Sequence, residues 1–557
     1  MDSLSETPDL TGEFPRLTEG QIESLARSGI RRRTEAGEVL FRAGDECPEF
    51  FVILEGKVHI VDDLHGEARV LRVHGPGRFL GEIGLLTGEK AFTSAVVAEP
   101  GEVLAVPVDE LRSRVSCDPA LADVVLRAYL IRRSMLIGSG SGFRIIGSRF
   151  SPDARRLRDF AARNRLPYRW IDVEEDRAAE TILRRLGVRP EETPIVSWDG
   201  RVVLRNPSNA ELARAIGLPV PGPALNTCDL LIVGAGPAGL AAAVYGASEG
   251  LTTTILDAVA VGGQAGTSPK IENYLGFPAG ISGSELAERA VIQAEKFGAH
   301  IGVPASATSL DPSDGHYVIG LEDGTTVAAR AVLIATGARY RRLDLDRLAD
   351  YEGFCVFYAA TLNEIAMCGY GPVVVVGGGN SAGQAALSLA EHALRVHLLV
   401  RGGDLTANMS RYLADRIERS PHVEVRCHTE VRELVGGAAL DAVIVQNTET
   451  GLREKLDAIA MFVFIGAVPG TQWLAGRLTL DDHGFVRTGP DVLQPEDDEA
   501  TQLRMPLLQT SLPGVFAAGD VRRGSARRVA SAVGEGAMAV RLIHEYLERP
   551  GPAGDRT

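Results

Sequence analysis

Short apolar runs broken by glycine fill about the first 115 residues. Phe50-Phe51-Val52-Ile53-Leu54, Lys57-Val58-His59-Ile60-Val61 and Val70-Leu71-Arg72-Val73 have the length and composition of strands, and glycines at 37, 44, 56, 66, 75, 77, 81, 84, 88 and 101 punctuate them. That pattern predicts an all-β roll. From Leu121 to Leu136 the apolar positions take a helical period. Gly138-Ser139-Gly140-Ser141-Gly142 then reads as a flexible linker. A second block follows: strand Phe143-Arg144-Ile145-Ile146, helix Ala154 to Asn164, strand Tyr168-Arg169-Trp170-Ile171 and helix Ala178 to Leu186. Pro194-Ile195-Val196-Ser197 and Val202-Val203-Leu204 pair across the turn Asp199-Gly200, and a last helix precedes the proline-rich linker Pro219 to Pro223. Alternating strands and helices then run to about Leu547, and the polar tail Arg549 to Thr557 reads as disordered.

Two of the later strands run straight into glycine turns. Leu230-Leu231-Ile232-Val233 leads into Gly234-Ala235-Gly236-Pro237-Ala238-Gly239, and Val373-Val374-Val375-Val376 leads into Gly377-Gly378-Gly379-Asn380-Ser381-Ala382. Each is a dinucleotide-binding fingerprint. The first glycine makes the turn, the second lets backbone approach a pyrophosphate, and the third small residue lets helix pack on strand. The helix N-terminus meets the negative charge with free N–H groups. Two such motifs in one chain point to two bound dinucleotides with electrons passing between them. The stretch Gly379-Asn380-Ser381-Ala382-Gly383 also matches the G-x-S-x-G hydrolase elbow. It shares its glycines with the fingerprint, and no Asp and His follow in a triad context, so the dinucleotide reading stands.

Composition changes this picture little. At 557 residues, 45% apolar and 24% charged, the chain is an ordinary globular one of three to five domains. A net charge of −15 argues against binding nucleic acid or anionic membrane. No apolar run reaches the roughly 18 residues of a membrane helix, and the acidic, polar Met1 to Glu13 is no signal peptide. Six cysteines, Cys47, Cys117, Cys228, Cys355, Cys368 and Cys427, have no CxxC spacing. That usage predicts a cytoplasmic protein without a metal site or disulfide framework.

Further segments order themselves around the two fingerprints. Asp257 ends the strand after the first one, where a carboxylate can bind a ribose hydroxyl. Gly262-Gly263-Gln264, Ile271-Glu272-Asn273-Tyr274 and Val332-Leu333-Ile334-Ala335-Thr336-Gly337-Ala338 follow, and Gly514-Val515-Phe516-Ala517-Ala518-Gly519-Asp520 and Arg527-Arg528-Val529-Ala530-Ser531-Ala532 lie near the end. At these residues, over about Asp229 to Leu547, the chain resembles the low-molecular-weight thioredoxin reductases of the pyridine nucleotide-disulfide oxidoreductase family. The resemblance implies that FAD is held by Gly234, Gly236, Pro237, Ala238, Asp257, Gly263, Gln264, Asn273, Thr336, Gly337, Gly519, Asp520, Arg527, Arg528 and Val529. It implies that NADPH is held by Gly377, Gly379, Asn380, Ser381, Ala382, Arg401 and Gly466. Arg401 closes the strand Val396-His397-Leu398-Leu399-Val400 where NADH-binding proteins carry an acid; a guanidinium there can clamp a 2′-phosphate, with Arg411 as a second cation.

The redox pair of that family is missing. The CxxC positions before the second fingerprint hold Ala359 and Leu362, so no catalytic residue can be assigned, and the sequence leaves open whether Cys355 and Cys368 meet as a substitute dithiol. The middle block resembles a thioredoxin or glutaredoxin domain, with Thr193-Pro194 at the cis-proline position, yet its CxxC site reads Ser148-Arg149-Phe150-Ser151. The N-terminal roll resembles a cyclic nucleotide-binding domain through Gly81-Glu82-Ile83-Gly84-Leu85-Leu86, the cassette whose Glu binds ribose. The arginine that should neutralise the cyclic phosphate is absent from Lys90-Ala91-Phe92-Thr93-Ser94-Ala95. Its absence favours a structural or partner-binding roll over a cyclic nucleotide site. No helix-turn-helix follows the roll, and Arg155, Arg156 and Arg158 read as a solvated helix face.

The expected protein is multidomain. Residues 1–137 form the β-roll and helix, 143–219 the α/β thioredoxin-like domain without CxxC, and 226–340 and 468–548 the α/β FAD domain. An inserted NADPH-binding, Rossmann-like domain occupies 341–467. Its expected function is that of an FAD-dependent NADPH oxidoreductase, a homodimer by resemblance, delivering electrons to an unidentified acceptor. Two rivals remain: a redox or nucleotide sensor that turns over slowly, and a ferredoxin or flavodoxin reductase. The second of these often carries a C-terminal aromatic over the flavin, and here the tail after Tyr546 has none.

Overall fold

The protein is described by a computed structural model that covers residues 4–548 except 48, 65–66, 83–88, 177–178, 186, 190–191, 199–201, 219–226, 269–270, 272, 353, 359, 361–363, 366–369 and 494–504. The turn at 199–200, the linker at 219–223 and the tail at 549–557 lie outside these residues. The chain forms two compact units. The first is built by residues 1–223 with short pieces at 258–260 and 292–306, the second by the remainder.

In the first unit, helix α1 (Glu19–Ala26) precedes six strands: β1 (Ile30–Thr34), β2 (Val39–Phe41), β3 (Glu49–Leu64), β4 (Glu67–His74), β5 (Phe79–Leu80) and β6 (Ser94–Pro107). They pair antiparallel in the order β1-β6-β3-β4, with β2 on β6 and β5 on β3. The apolar run in β3 is uninterrupted because both of its faces are buried. Successive side chains point to opposite faces of a strand. Phe50 and Val52 join the cluster beneath the helices, while Phe51 and Ile53 join a second cluster with Val58, Leu80 and Val103. Helices α2 (Val108–Cys117) and α3 (Pro119–Ser139) close the first cluster with Leu111, Leu121 and Val125. Asp118 caps α3 by accepting the N–H groups of Ala120 and Leu121, each at 3.0 Å, with Pro119 at the first helical position.

The stretch 138–142 is not a flexible linker. Helix α3 continues through Gly138 and Ser139 and ends on Gly140, left-handed at φ 62°. Ser141 is buried, and a Cβ on Gly142 would lie 2.2 Å from the carbonyl oxygen of Pro167. The glycines here serve a helix cap and a close chain crossing.

The next elements are β7 (Phe143–Gly147), α4 (Pro152–Arg163), β8 (Tyr168–Asp172), α5 (Ala179–Arg185), β9 (Ile195–Trp198), β10 (Val202–Arg205) and α6 (Asn209–Ile216). The sheet order is β10-β9-β7-β8, with β7 and β8 parallel and the other pairs antiparallel. The Thr193–Pro194 bond is cis, as its place before the third strand of this block predicts. Helix α4 is less solvated than its run of arginines suggested. The Arg158 guanidinium stacks 4.5 Å over Trp170, and Arg156 bonds Asn209, Asn206 and the carbonyl of Pro207. This sheet and the roll share one core, in which Phe92 and Ala43 pack with Phe143, Ile145, Leu157 and Trp198. Trp198 lies between Phe92 and Phe143, its ring centroid 6.1 and 5.0 Å from theirs.

In the second unit, β11 (Cys228–Val233), helix α7 (Pro237–Ser248) and β12 (Thr253–Leu256) open a mostly parallel sheet. β11 lies between β12 and the strand Thr326–Ile334, and the strand Val515–Ala517 pairs on the far side of the latter, all parallel. Helix α10 (Val529–Leu547) packs against α7. The chain leaves this domain through Ala338–Tyr340 and returns through Ala467–Pro469, and these two segments pair as an antiparallel ribbon. Between them β13 (Pro372–Val376), helix α8 (Asn380–Leu389), β14 (Arg395–Leu399) and helix α9 (Arg411–Glu418) belong to a five-stranded parallel sheet and its helices. A three-stranded antiparallel sheet, Thr429–Gly436, Leu440–Asn447 and Arg453–Asp457, is laid beside it. Sheets buried on both faces need unbroken apolar strands. That is why Leu230–Val233 and Val373–Val376 show no alternation.

Because Trp198 belongs to the core that the roll and the four-stranded sheet share, its truncation should weaken both. Trp198→Ala is expected to cost about 3–5 kcal/mol. Limited proteolysis followed by mass spectrometry should show the roll and the four-stranded sheet losing protection together. Loss confined to residues 143–218 would mean that the shared core is not cooperative.

Candidate functional site

The first fingerprint is built around backbone crowding. Gly234 sits at φ 112°, and a Cβ there would lie 2.3 Å from the carbonyl oxygen of Ala335. A Cβ on Gly239 would lie 1.9 Å from the carbonyl oxygen of Gly234. The glycines therefore let the turn, the helix start and the neighbouring strand end occupy one small volume. Gly236 caps α7 without a side chain, and a Cβ on Gly263 would approach its Cα to 3.0 Å. Pro237 takes the first helical position, where its missing N–H costs nothing. Asp257 accepts the Ala235 N–H at 2.8 Å, which ties the end of β12 to the turn.

The C-terminal Gly-Asp segment reaches the same place. A Cβ on Gly519 would lie 3.0 Å from that of Ala238, and one on Gly536 of α10 only 2.1 Å from the Ala238 carbonyl oxygen. Burial pushes the Asp520 carboxyl up from the usual carboxylate range, with the Ser525 hydroxyl and Arg527 pulling the other way. Arg528 caps α10, Val529 starts it, and Arg527 at φ 47° lays its guanidinium 5.3 Å from the Phe485 ring. The sequence reading missed Glu535, which accepts the Gly519 N–H at 2.7 Å and pairs with Arg522 at 2.6 Å. Its only sequence signal is a position on α10 shortly after the Gly-Asp turn.

Three other expected residues serve the chain crossing. Thr336 donates to the Gly470 carbonyl at 3.0 Å, Gly470 donates to the Gly337 carbonyl at 3.1 Å, and the Gln264 amide donates to the Ala338 carbonyl. Asn273 is exposed, between the bridge partners Ile271 and Ile281, and no contact joins it to the cradle among the described residues.

The second fingerprint repeats the first. Gly377 is at φ 144°, and a Cβ there would lie 2.4 Å from the carbonyl oxygen of Phe464. Gly379 caps α8, whose first turn carries Asn380, Ser381 and the buried Ala382. Asn380 accepts the Ser410 N–H at 2.7 Å, which brings the start of α9, and so Arg411, beside the helix N-terminus. Arg401 follows β14 by two residues, and Arg401 and Arg411 are both exposed without an ion-pair partner among the described residues. Gly466, at φ 95°, accepts the Arg341 N–H at 2.9 Å where the ribbon begins. Ser381 has no histidine partner among the described residues, so the hydrolase geometry is absent there.

Ala359, Leu362 and Cys368 lie outside the described residues, while Cys355 is buried, with its sulfur 3.4 Å from the Leu440 N–H. Ser148 and Ser151, expected to stand where a thioredoxin-like domain has its CxxC pair, bond locally. Ser151 caps α4, and the Ser148 hydroxyl donates to Glu174 at 2.6 Å. In the roll, Glu82 is paired with Arg132 of α3 at 2.7 Å, and residues 83–86 lie outside the described residues. The cation beside Glu82 is therefore Arg132, not Lys90, which does not line the roll pocket. Fifty positions separate the two partners in sequence, which hid this pair.

Two donor-lined glycine cradles at helix N-termini, one with bare arginines behind it, fit two dinucleotides. Comparison with known proteins agrees. The family model for the pyridine nucleotide-disulphide oxidoreductases matches residues 228–536, and that for the cyclic nucleotide-binding domain matches residues 31–116. Thioredoxin reductase of Treponema pallidum is 34% identical over 326 residues, which is 58% of this chain and 97% of that protein. The 34.2 kDa protein in rubredoxin operon of Clostridium pasteurianum is 32% identical over 319 residues, 57% of this chain and 97% of that protein. The solved structure of T. acidophilum thioredoxin reductase has a TM-score of 0.51 at 30% identity, covering 58% of this chain and 99% of its own. For that of Lactococcus lactis the score is 0.52 at 26% identity, covering 58% and 99%. The chain belongs to the pyridine nucleotide-disulphide oxidoreductase family, as a thioredoxin reductase-like, FAD- and NADPH-dependent enzyme that also carries a cyclic nucleotide-binding domain.

Proposed function

We propose that this enzyme takes reducing equivalents from NADPH and gives them to an external acceptor without a dithiol of its own. The carrying observation is the pairing of two glycine cradles with Ala359 and Leu362 at the family's dithiol positions, in a chain that has no CxxC at all. Bound FAD supplies the chemistry, accepting hydride from the nicotinamide and releasing electrons to an acceptor. The protein's part is binding and placement. The turn Gly234–Gly236 and the N-terminus of α7 hold the FAD pyrophosphate, Asp257 the ribose, and Gly519, Asp520 and the start of α10 the ribityl side. The turn Gly377–Gly379 and the N-terminus of α8 hold the NADPH pyrophosphate. Arg401 and Arg411 bind its 2′-phosphate, which a carboxylate at Arg401 would repel. Gln264, Thr336 and Gly337, expected to hold FAD, also brace the ribbon at the crossing between the two domains. Assembly as a homodimer belongs to the same reading, and sedimentation at a monomer mass would contradict it.

The strand order β10-β9-β7-β8 supports a thioredoxin-like scaffold in the first unit. Its serines, capping and bonding locally, carry no electrons, so this domain is a scaffold or docking body in our reading.

Acceptor choice tests the proposal. NADPH oxidation should run with a quinone or a one-electron protein acceptor, and a disulfide substrate should be reduced far more slowly. Disulfide reduction at the quinone rate, lost in a Cys355→Ser, Cys368→Ser double variant, would refute it and establish a substitute dithiol. Failure to oxidise NADPH with an acceptor of either kind would favour the slowly turning sensor. Arg401→Ala should lower kcat/KM for NADPH about 10- to 100-fold, the worth of a charge-assisted contact of about 1.5–3 kcal/mol, and leave NADH nearly unchanged. An equal loss for both nucleotides would remove Arg401 from the 2′-phosphate site.

A further inference from the structure

The β-roll encloses a cavity that the redox reading leaves unused. It is open at its mouth and has a cavity volume of about 110 Å³. Most of its wall is apolar, with Phe14, Phe41, Leu71, Phe92, Met135 and Leu136. Its polar side chains include Arg72 and His74 of β4, Arg132 and Ser139 of α3, and Glu82 and Thr93.

Arg132 is the central one. It is 7% exposed, and three of its bonds are made within the roll. Nε donates to the Glu13 carbonyl at 2.6 Å, and Nη1 donates to the Phe79 carbonyl at 3.0 Å and to Glu82 at 2.7 Å. The guanidinium lies 4.7 Å from the centroid of the Phe79 ring. Its remaining nitrogen, Nη2, is buried with no partner among the described residues. His74 is 2% exposed, and its Nδ1 is likewise buried without a partner among the described residues. Burial, then Arg132, Arg78 and Arg72, hold this imidazole well below its usual pKa, so its ring is neutral and can present an N–H. Three guanidinium groups act on it, those of Arg132 and Arg78 buried and that of Arg72 half-buried, against the buried carboxylates Glu82 and Glu13 and, about Arg78, Glu6 at 3.9 Å and Asp9. Buried donors left unbonded are costly. That cost vanishes if an anionic acceptor enters.

A cyclic nucleotide bound through the cassette would need an arginine within the stretch 90–95 and a Glu82 open to a ribose. Instead, that stretch presents Thr93 to the pocket, and Glu82 is already the partner of Arg132. We propose that the roll pocket binds a small organic monoanion with an apolar body, its charged oxygens held by Nη2 of Arg132 and the Nδ1–H of His74 and not by the cassette. An apolar carboxylate matches this wall best; a cyclic phosphate is the other source of the same chemistry. The proposal stands apart from the identity of the electron acceptor.

Occupancy would be reported within the first unit. Phe92 belongs to the pocket wall and stacks on Trp198 with 26° between the rings. Helix α3 carries Arg133 next to Arg132, and Arg133 is paired in the core with Glu89, at 2.8 Å through Nη2. The same helix thus grips the chain on both sides of 83–88, through Glu82 and Glu89.

The test uses the full-length protein and calorimetric titration with two sets of probes, straight-chain and aromatic carboxylates in one and cAMP and cGMP in the other. Tryptophan fluorescence is followed in parallel. Arg132→Lys keeps a cation opposite Glu82 and removes Nη2. His74→Phe keeps the edge-on ring contact with Phe14, now at 5.3 Å, and removes Nδ1. We expect saturable carboxylate binding, weakened about tenfold or more in each variant, with a fluorescence change that Trp198→Phe abolishes. Cyclic nucleotide binding weakened in the same way would keep the anion site and name the other source. Binding of either class that is unchanged in both variants overturns the proposal. So does the absence of saturable binding up to about 1 mM, the weak end of specific affinity.

Discussion

A main chain can meet a pyrophosphate only where no Cβ stands between them, and the second unit obeys this constraint twice. In each fingerprint the first glycine takes a positive φ, and its missing Cβ would fall on a carbonyl oxygen at the end of the adjacent parallel strand, at Ala335 for Gly234 and at Phe464 for Gly377. The strand end, the turn and the helix start are thereby compressed into one cradle. Everything else in the unit is arranged around that compression. Asp257 ties the first turn to β12, Gly519 and Gly536 let the C-terminal segment reach the same helix, and Asn380 draws α9 to the second cradle. The ribbon of Ala338–Tyr340 with Ala467–Pro469 is the connection left to join the two cradles, and Thr336, Gly470 and Gln264 brace its base.

Sulfur is the conspicuous omission. In the reading proposed above, Ala359 and Leu362 stand at the family's dithiol positions, and Ser148 and Ser151 stand where a thioredoxin-like block would carry its pair. The two serines have been absorbed into structure, one as a helix cap and the other in a bond to Glu174. On that reading the cradles need no thiols, because cofactor binding depends on glycines, helix N-termini and strand ends. The first unit retains a different chemistry, a buried ion pair between Arg132 and Glu82 at the wall of an apolar cavity.

Features set by local backbone rules were legible in the sequence. The fingerprints, the strands leading into them, helix α3 and the cis bond at Thr193–Pro194 all depend on neighbouring residues, and reading along the chain finds them. Features set by tertiary contact were not. The glycines at 138–142 looked like a linker because composition cannot distinguish a helix cap and a close crossing from flexible chain. Arg158 looked solvated because its stacking partner, Trp170, lies on another element. Glu535 and Arg132 were invisible for the same reason: each finds its partner through packing, Glu535 at Gly519 and Arg132 at Glu82. The roll therefore seemed to lack a buried cation when it had one.

The central claim is that both cradles are filled and that electrons pass between them. Anaerobic titration of the purified protein with NADPH, followed by flavin absorbance, tests it most directly. The account predicts a protein that carries FAD as isolated and bleaches rapidly and stoichiometrically with NADPH, and more slowly at equal concentrations of NADH. Bound FAD that NADPH fails to bleach would contradict it and leave two nucleotide sites with no electron transfer between them.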